Sequence, residues 1–278
     1  MSFFGKLFGS SKKTPNVFEL MEHGDMAALR TAIDKGADVH TTLPDGSTTL
    51  IMAAYDGNME MVRLFLEQGV SVQTANQAGY TPLLIAAQMG HTDIARLLVD
   101  KGADIHATNV EGCAALAADA QQGHIGMVQF LLDKGANVNA ASGNSAPALM
   151  VAASNGFIDV VKILLNAGAD VNAKKRDDNM TALLGAVLNG QISIAESLIA
   201  AGADINAANN SGATPLILAA AHPDGATMVR LLLNAGADTN ATAGTNNMTA
   251  LGIAKVGLAE DSGFEDIVKL LLDAGAKE

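Results

Sequence analysis

Apolar positions in this chain fall into a pattern that is legible in one stretch, residues 79–106. Leu83, Ala86 and Ala87 follow Thr81-Pro82 at helical spacing, and Ile94, Leu97 and Leu98 fall at i, i+3 and i+4 behind Thr92. The pattern predicts two short helices. Thr81 is the N-cap of the first and Pro82 its first residue, Met89-Gly90-His91 breaks it, and Thr92 caps the second. Gly102 closes the second helix, where a left-handed residue is wanted. One such pair cannot bury its apolar face alone and needs copies of itself on either side.

The copies are present. The leucine of the first helix recurs at Leu50, Leu83, Leu116, Leu149, Leu183, Leu216 and Leu251, at spacings of 33 to 35 residues. The glycine that closes the second helix recurs at Gly36, Gly69, Gly102, Gly135, Gly168, Gly202, Gly236 and Gly275, at spacings of 33 to 39. Two independent markers therefore keep one period along the chain. Alanine pairs at Ala53-Ala54, Ala86-Ala87, Ala152-Ala153 and Ala219-Ala220 allow first helices to approach closely. Leucine pairs at 97–98, 131–132, 164–165, 231–232 and 271–272 fill the space between repeats.

These residues resemble ankyrin repeats. The resemblance rests on the period, on Thr-Pro-Leu at 81–83 and 214–216, and on Gly-Ala-Asp-(Val/Ile)-(Asn/His) at 36–40, 102–106, 168–172 and 202–206. It covers residues 15–278, as seven full repeats behind a leading helix pair at 17–35. It implies an all-α ankyrin-repeat solenoid of stacked antiparallel helix pairs with projecting turns. The repeats begin at residues 41, 74, 107, 140, 173, 207 and 241. The histidine that often follows Thr-Pro-Leu in the family is replaced here by Ile51, Leu84, Ala117, Met150, Leu184, Ile217 and Gly252. Repeat three loses Thr-Pro, so its cap is weak, and Pro147 stands at the threonine place of repeat four. Irregularity gathers in the last three repeats. The finger at 174–178 is charged, an inserted residue falls at 222–225, and the turn at 243–247 and the loop at 257–263 are lengthened.

Composition narrows what such a stack can do. Only 4% of residues are aromatic and Trp is absent, so the core is aliphatic, and the net charge of -12 disfavours nucleic acid. Residues 1–14 stand apart as a flexible basic and apolar tail, with Lys6, Lys12 and Lys13 beside Phe3, Phe4, Leu7 and Phe8. Two readings of it stand: a loose terminus, or a short interfacial anchor that makes weak contact with a membrane surface. No run approaches the length of a membrane span. The lone Cys113 excludes an internal disulfide and fits a cytoplasmic location.

Chemistry-bearing patterns are missing. The six histidines lack ligand spacing, and the expectation is no catalytic residue, no metal, no cofactor and no enzyme. Asp38, Asp104, Asp170, Asp204 and Asp238 belong to the closing motif and are expected to hold turns. What remains is a monomeric scaffold or adaptor that binds a protein. The resemblance implies contact through turn tips and the exposed side of the first helices. Carried over position by position, the candidates are Tyr55, Asp56, Tyr80, Gln88, Met89, Glu111, Gln121, Gln122, Asn155, Asp178, Met180, Leu188, Asn189, His222 and Met248. Tyr55, Tyr80, Met89, Met180, Leu188 and Met248 carry most interest, because aromatic residues and Met are favoured in interface cores.

Overall fold

The computed structural model describes residues 16–141 and 146–277, so the expectations for the tail at 1–14 and the turn at 142–145 lie outside the described residues. The chain divides into two compact units, residues 1–110 and 111–278. In the first, α1 (Val17–Glu22) and α2 (Met26–Asp34) form the leading pair. Repeat one follows as α3 (Thr49–Tyr55) and α4 (Met59–Glu67), and repeat two as α5 (Pro82–Gln88) and α6 (Thr92–Asp100). The second unit holds α7 (Ala115–Ala120) and α8 (Ile125–Asp133), α9 (Ala148–Asn155) and α10 (Ile158–Asn166), and α11 (Ala182–Leu188) and α12 (Ile192–Ala200). It ends with α13 (Pro215–Ala220) and α14 (Ala226–Asn234), then α15 (Ala250–Leu258) and α16 (Glu265–Asp273). Within each unit every first helix packs on its own mate and on the first helix of the next pair. This is the all-α stacked arrangement that the period implies.

Local chemistry explains the helix starts. Thr48, Thr81, Thr181, Thr214 and Thr249 each accept a hydrogen bond on the side-chain oxygen from the backbone N–H three residues on, at 3.1 to 3.4 Å. One orphan donor per helix is thereby satisfied. Ala114 and Pro147 offer no such cap to α7 and α9, as their residue types require. The second helices differ from expectation in one respect. α6 starts at Thr92, so His91 occupies the cap, and Thr92 lies inside the helix. The chain is already turning at His91, whose N–H donates to the Ala86 carbonyl at 2.9 Å.

Of each leucine pair only one member is fully inside. Leu98, Leu131, Leu164, Leu232 and Leu271 are buried, and each stands four residues before the closing glycine. Leu97, Leu132, Leu165 and Leu231 are half-buried and Leu272 is exposed. Four residues is one helical turn, so the glycine's position fixes which leucine faces the core.

The closing motif proves to be a stitch between repeats. Asp38, Asp104, Asp170, Asp204 and Asp238 each accept from the N–H two residues on, at 2.8 to 3.0 Å. The amide that ends one repeat then reaches the next. Gln73 donates to the Gly102 carbonyl at 2.6 Å and accepts from Asp104 N–H at 3.2 Å. Asn139 spans to Gly168 and Asp170 in the same way, and Asn172 to Gly202 and Asp204. Asn206 and Asn240 accept from Asp238 and Lys277. Asn172→Ala removes both bonds of one stitch and is expected to lower stability by about 1 kcal/mol, read as a urea midpoint. An unchanged midpoint would show the stitch to be energetically idle.

Repeat seven departs from pure helix. Its lengthened turn forms a two-stranded ribbon, β1 (Thr242–Ala243) and β2 (Met248–Thr249), paired antiparallel with Thr242 opposite Thr249. Gly244 and Asn247 take the positive φ that so tight a reversal demands, at 71° and 48°. The expected loop at 257–263 is largely structured. α15 runs through Leu258, and a 3-10 turn (Ser262–Phe264) leads into α16.

Candidate partner-binding surface

The ends of the first helices position most of the candidate residues. Tyr55, Gln88, Asn155 and Leu188 are each the last residue of α3, α5, α9 and α11, and Asp56, Met89, Gln121 and Asn189 each follow a first helix as its C-cap. Tyr55 is 53% exposed, Met89 38% and Leu188 58%, large for apolar or aromatic side chains. Gln121, Gln122, Asn155, Asn189 and His222 are exposed, and Gln88 is half-buried. Two of these side chains bond to their own helices. Asn155 donates to the Val151 carbonyl at 2.9 Å and Asn189 to the Gly185 carbonyl at 2.9 Å. The Asp56 carboxyl is held above the usual carboxylate range by burial, against the pull of His91.

The turn candidates divide differently from expectation. Tyr80, Met180 and Met248 all stand immediately before a capping threonine and are half-buried. They close turns instead of tipping them. The Tyr80 carbonyl accepts from Asn76 N–H at 3.1 Å, and the Met180 carbonyl from Lys175 N–H at 2.9 Å. Asp178 accepts from Met180 N–H at 3.0 Å and pairs with Lys175 at 3.6 Å, so its carboxylate is engaged within its own turn. Glu111 is exposed. Neighbouring turns are joined through the backbone. Gln77 N–H donates to the Asp45 carbonyl at 2.8 Å, and Asn210 N–H to the Asp178 carbonyl at 2.9 Å. The fingers are thereby held before anything binds them.

Two features escaped the sequence reading. Ile125 and Val256 are as exposed as the chosen residues. Asp119 is 0% exposed on α7, and its Oδ2 has no hydrogen-bond partner, while Oδ1 lies 2.9 Å from His124 Nδ1. Burial pushes its carboxyl up to about 8, against the lowering effect of the Val128 backbone. The signal was present in the repeat register. Ala53, Ala86, Ala152, Ala186, Ala219 and Ala254 hold the same position in the other six repeats. Burial also raises the Cys113 thiol, with Glu111 adding to the shift, which is the reverse of what a reactive thiolate needs.

A groove of about 550 Å³ lies in the second unit, lined by Leu188, Asn189, Ile192, Leu218, His222 and Met228 among others. It brings together three of the candidate residues, Leu188, Asn189 and His222. A smaller recess of about 300 Å³ in the first unit includes Asp56. No group of three metal-ligating side chains gathers among the described residues, and no helix there is long and apolar enough to cross a membrane.

A family model of ankyrin repeats, built as three copies, matches residues 18–109, 106–175, 149–243 and 183–278. Comparison with curated proteins gave no match. With the period, the caps and the closing stitches all in register with that match, the chain belongs to the ankyrin-repeat family.

Proposed function

We propose that this chain is a non-catalytic scaffold that binds a protein partner on the exposed ends of its first helices and on its turn tips. Ankyrin repeats are generic protein–protein interaction modules, and the family is typically non-catalytic. The observation that carries the reading is the register of the exposed side chains. Tyr55 and Leu188 occupy one repeat position and Met89 the next, and all three are exposed where a self-contained fold would place polar residues. Because capped helices and bonded turns hold these side chains in place, little ordering entropy is lost on binding. A lone cysteine and an acidic surface support a monomer working in the reducing cytoplasm.

The test is capture of the native partner by the full chain, followed by affinity measurement with the double variant Tyr55→Ala/Met89→Ala. The expected result is at least about a tenfold loss, the scale of one interface hot spot. Affinity within twofold of the parent would remove these residues from the contact.

A further inference from the structure

The residue that precedes each second helix has a second task. In repeat two it is His91, whose ring lies against Gly57 of repeat one and whose Nε2 is 3.2 Å from the Tyr55 carbonyl. In repeat four it is Phe157, whose ring lies against Gly123, and in repeat five Gln191, against Gly156. A side chain on any of these glycines would strike the covering group at 2.5 to 2.8 Å. Phe264 covers Gly257 within repeat seven. At Gly57, Gly123, Gly156 and Gly257, at or near the end of a first helix, a planar side chain is thus laid over a glycine.

Repeat six breaks the rule. Its covering position is Gly225, which has no side chain, and Gly190 of repeat five has nothing within 4 Å. Nor is Gly225 free to become larger. A Cβ there would fall 2.0 Å from the Ala219 carbonyl oxygen, so the insertion at 222–225 is built around a glycine. The Leu188 carbonyl, counterpart of the Tyr55 carbonyl, accepts no hydrogen bond among the described residues. The uncovered place is the groove of about 550 Å³ described above, with Met228 as a buried wall and exposed Leu188 at its edge. Asp224 lines the same groove, is exposed, and forms no ion pair among the described residues. Gly24 is also uncovered, but there Asn58 occupies the covering position and caps α4, and the recess is smaller, about 300 Å³.

We infer that the groove at Gly190 is a socket for a phenylalanine side chain from a protein partner, with an adjacent lysine or arginine of that partner set against Asp224. The protein's own solutions at Gly123 and Gly257 supply the shape argument, since a phenyl ring is what covers the glycine there. Leu188, Ile192, Leu218 and Met228 supply the apolar walls, and Met is suited to edge contact with an aromatic ring. The unpaired carboxylate supplies the preference for a basic neighbour. The inference rests on the reading of first-helix ends as a partner-binding surface and names the chemistry of one place on it.

The full chain, carrying methionines labelled at the ε-methyl carbon, is titrated by NMR with three blocked dipeptides: acetyl-Lys-Phe-amide, acetyl-Lys-Ala-amide and acetyl-Glu-Phe-amide. The Met228 signal is assigned with Met228→Leu. The expected result is a saturable shift of that methyl with Lys-Phe and none with Lys-Ala. Glu-Phe should bind roughly threefold more weakly, the scale of one exposed charge pair. Ala221→Trp, which fills the groove from its rim, should abolish the shift while leaving the other methionine signals in place. No saturable Met228 shift with Lys-Phe, an equal shift with Lys-Ala, or equal affinity for Glu-Phe would each overturn the inference. The titration uses no native partner, so its failure removes the socket alone. Unchanged partner affinity in Tyr55→Ala/Met89→Ala would instead remove the broader reading.

Discussion

Leu131→Ala is expected to lower the stability of the chain by about 2–5 kcal/mol, and Leu132→Ala by no more than about 1 kcal/mol. Leu131 is fully buried on α8, which packs on α7 and on α10, and Leu132 is half-buried beside it. The side chains are identical, so the difference isolates position. A cavity at Leu131 loses both the transfer of the leucine from water and the contacts that lined it. In a stack of repeats each unit contacts only its neighbours, so there is no larger core to absorb the loss. Urea unfolding of the two variants measures the gap. Equal midpoints would contradict the rule that the leucine one turn before the closing glycine is the core residue.

Replacement of Asp119 runs the other way. Asp119→Ala is expected to raise stability by about 1–3 kcal/mol at pH 8, with the gain shrinking toward pH 5. Ala is already the residue at this position in the six other repeats, so the site can be filled without a clash. In the folded chain the carboxyl is pushed up to about 8, whereas an unfolded aspartate titrates near its ordinary value of about 3.9. Between these values the folded state holds a proton that the unfolded state has released. The contribution of this group is therefore fully present below about pH 4 and is lost as pH rises through 8. Removing the group removes that pH dependence. His124 remains partly exposed, and water replaces its lost partner. A variant less stable than the parent at every pH, or a gain that does not change with pH, would contradict this account.

Much of the architecture was legible because it repeats. Leu50 through Leu251 and Gly36 through Gly275 gave the helix register, and the threonines before Pro82 and Pro215 gave the caps. The closing aspartates were legible as turn-holders, because Asp bonds locally to its own backbone. That Asn139 and Asn172 reach into the following repeat was not, since such a bond depends on stacking distance and not on neighbours in sequence. The cap of α6 was misplaced by one residue for a related reason. Thr92 has the right chemistry, but the backbone turns at His91. Tyr80, Met180 and Met248 have the residue types of exposed contacts, yet each stands half-buried just before a capping threonine, a placement that depends on packing and not on sequence neighbours. Asp119 was visible as a lone departure from alanine, and only its burial turns that departure into a consequence. The open groove at Gly190 could not be read from the sequence, because what defines it is a side chain that another repeat fails to supply.

The central claim is that this chain meets a protein partner through the exposed ends of its first helices. Photo-crosslinking in the native cell tests it most directly, with a benzophenone amino acid placed at Met89, at Leu188 or at Gln129, an exposed residue of the second helix α8. The account predicts covalent adducts with another protein from Met89 and Leu188 and none of those adducts from Gln129. Adducts from Gln129 alone, or the same adducts from all three positions, would contradict it.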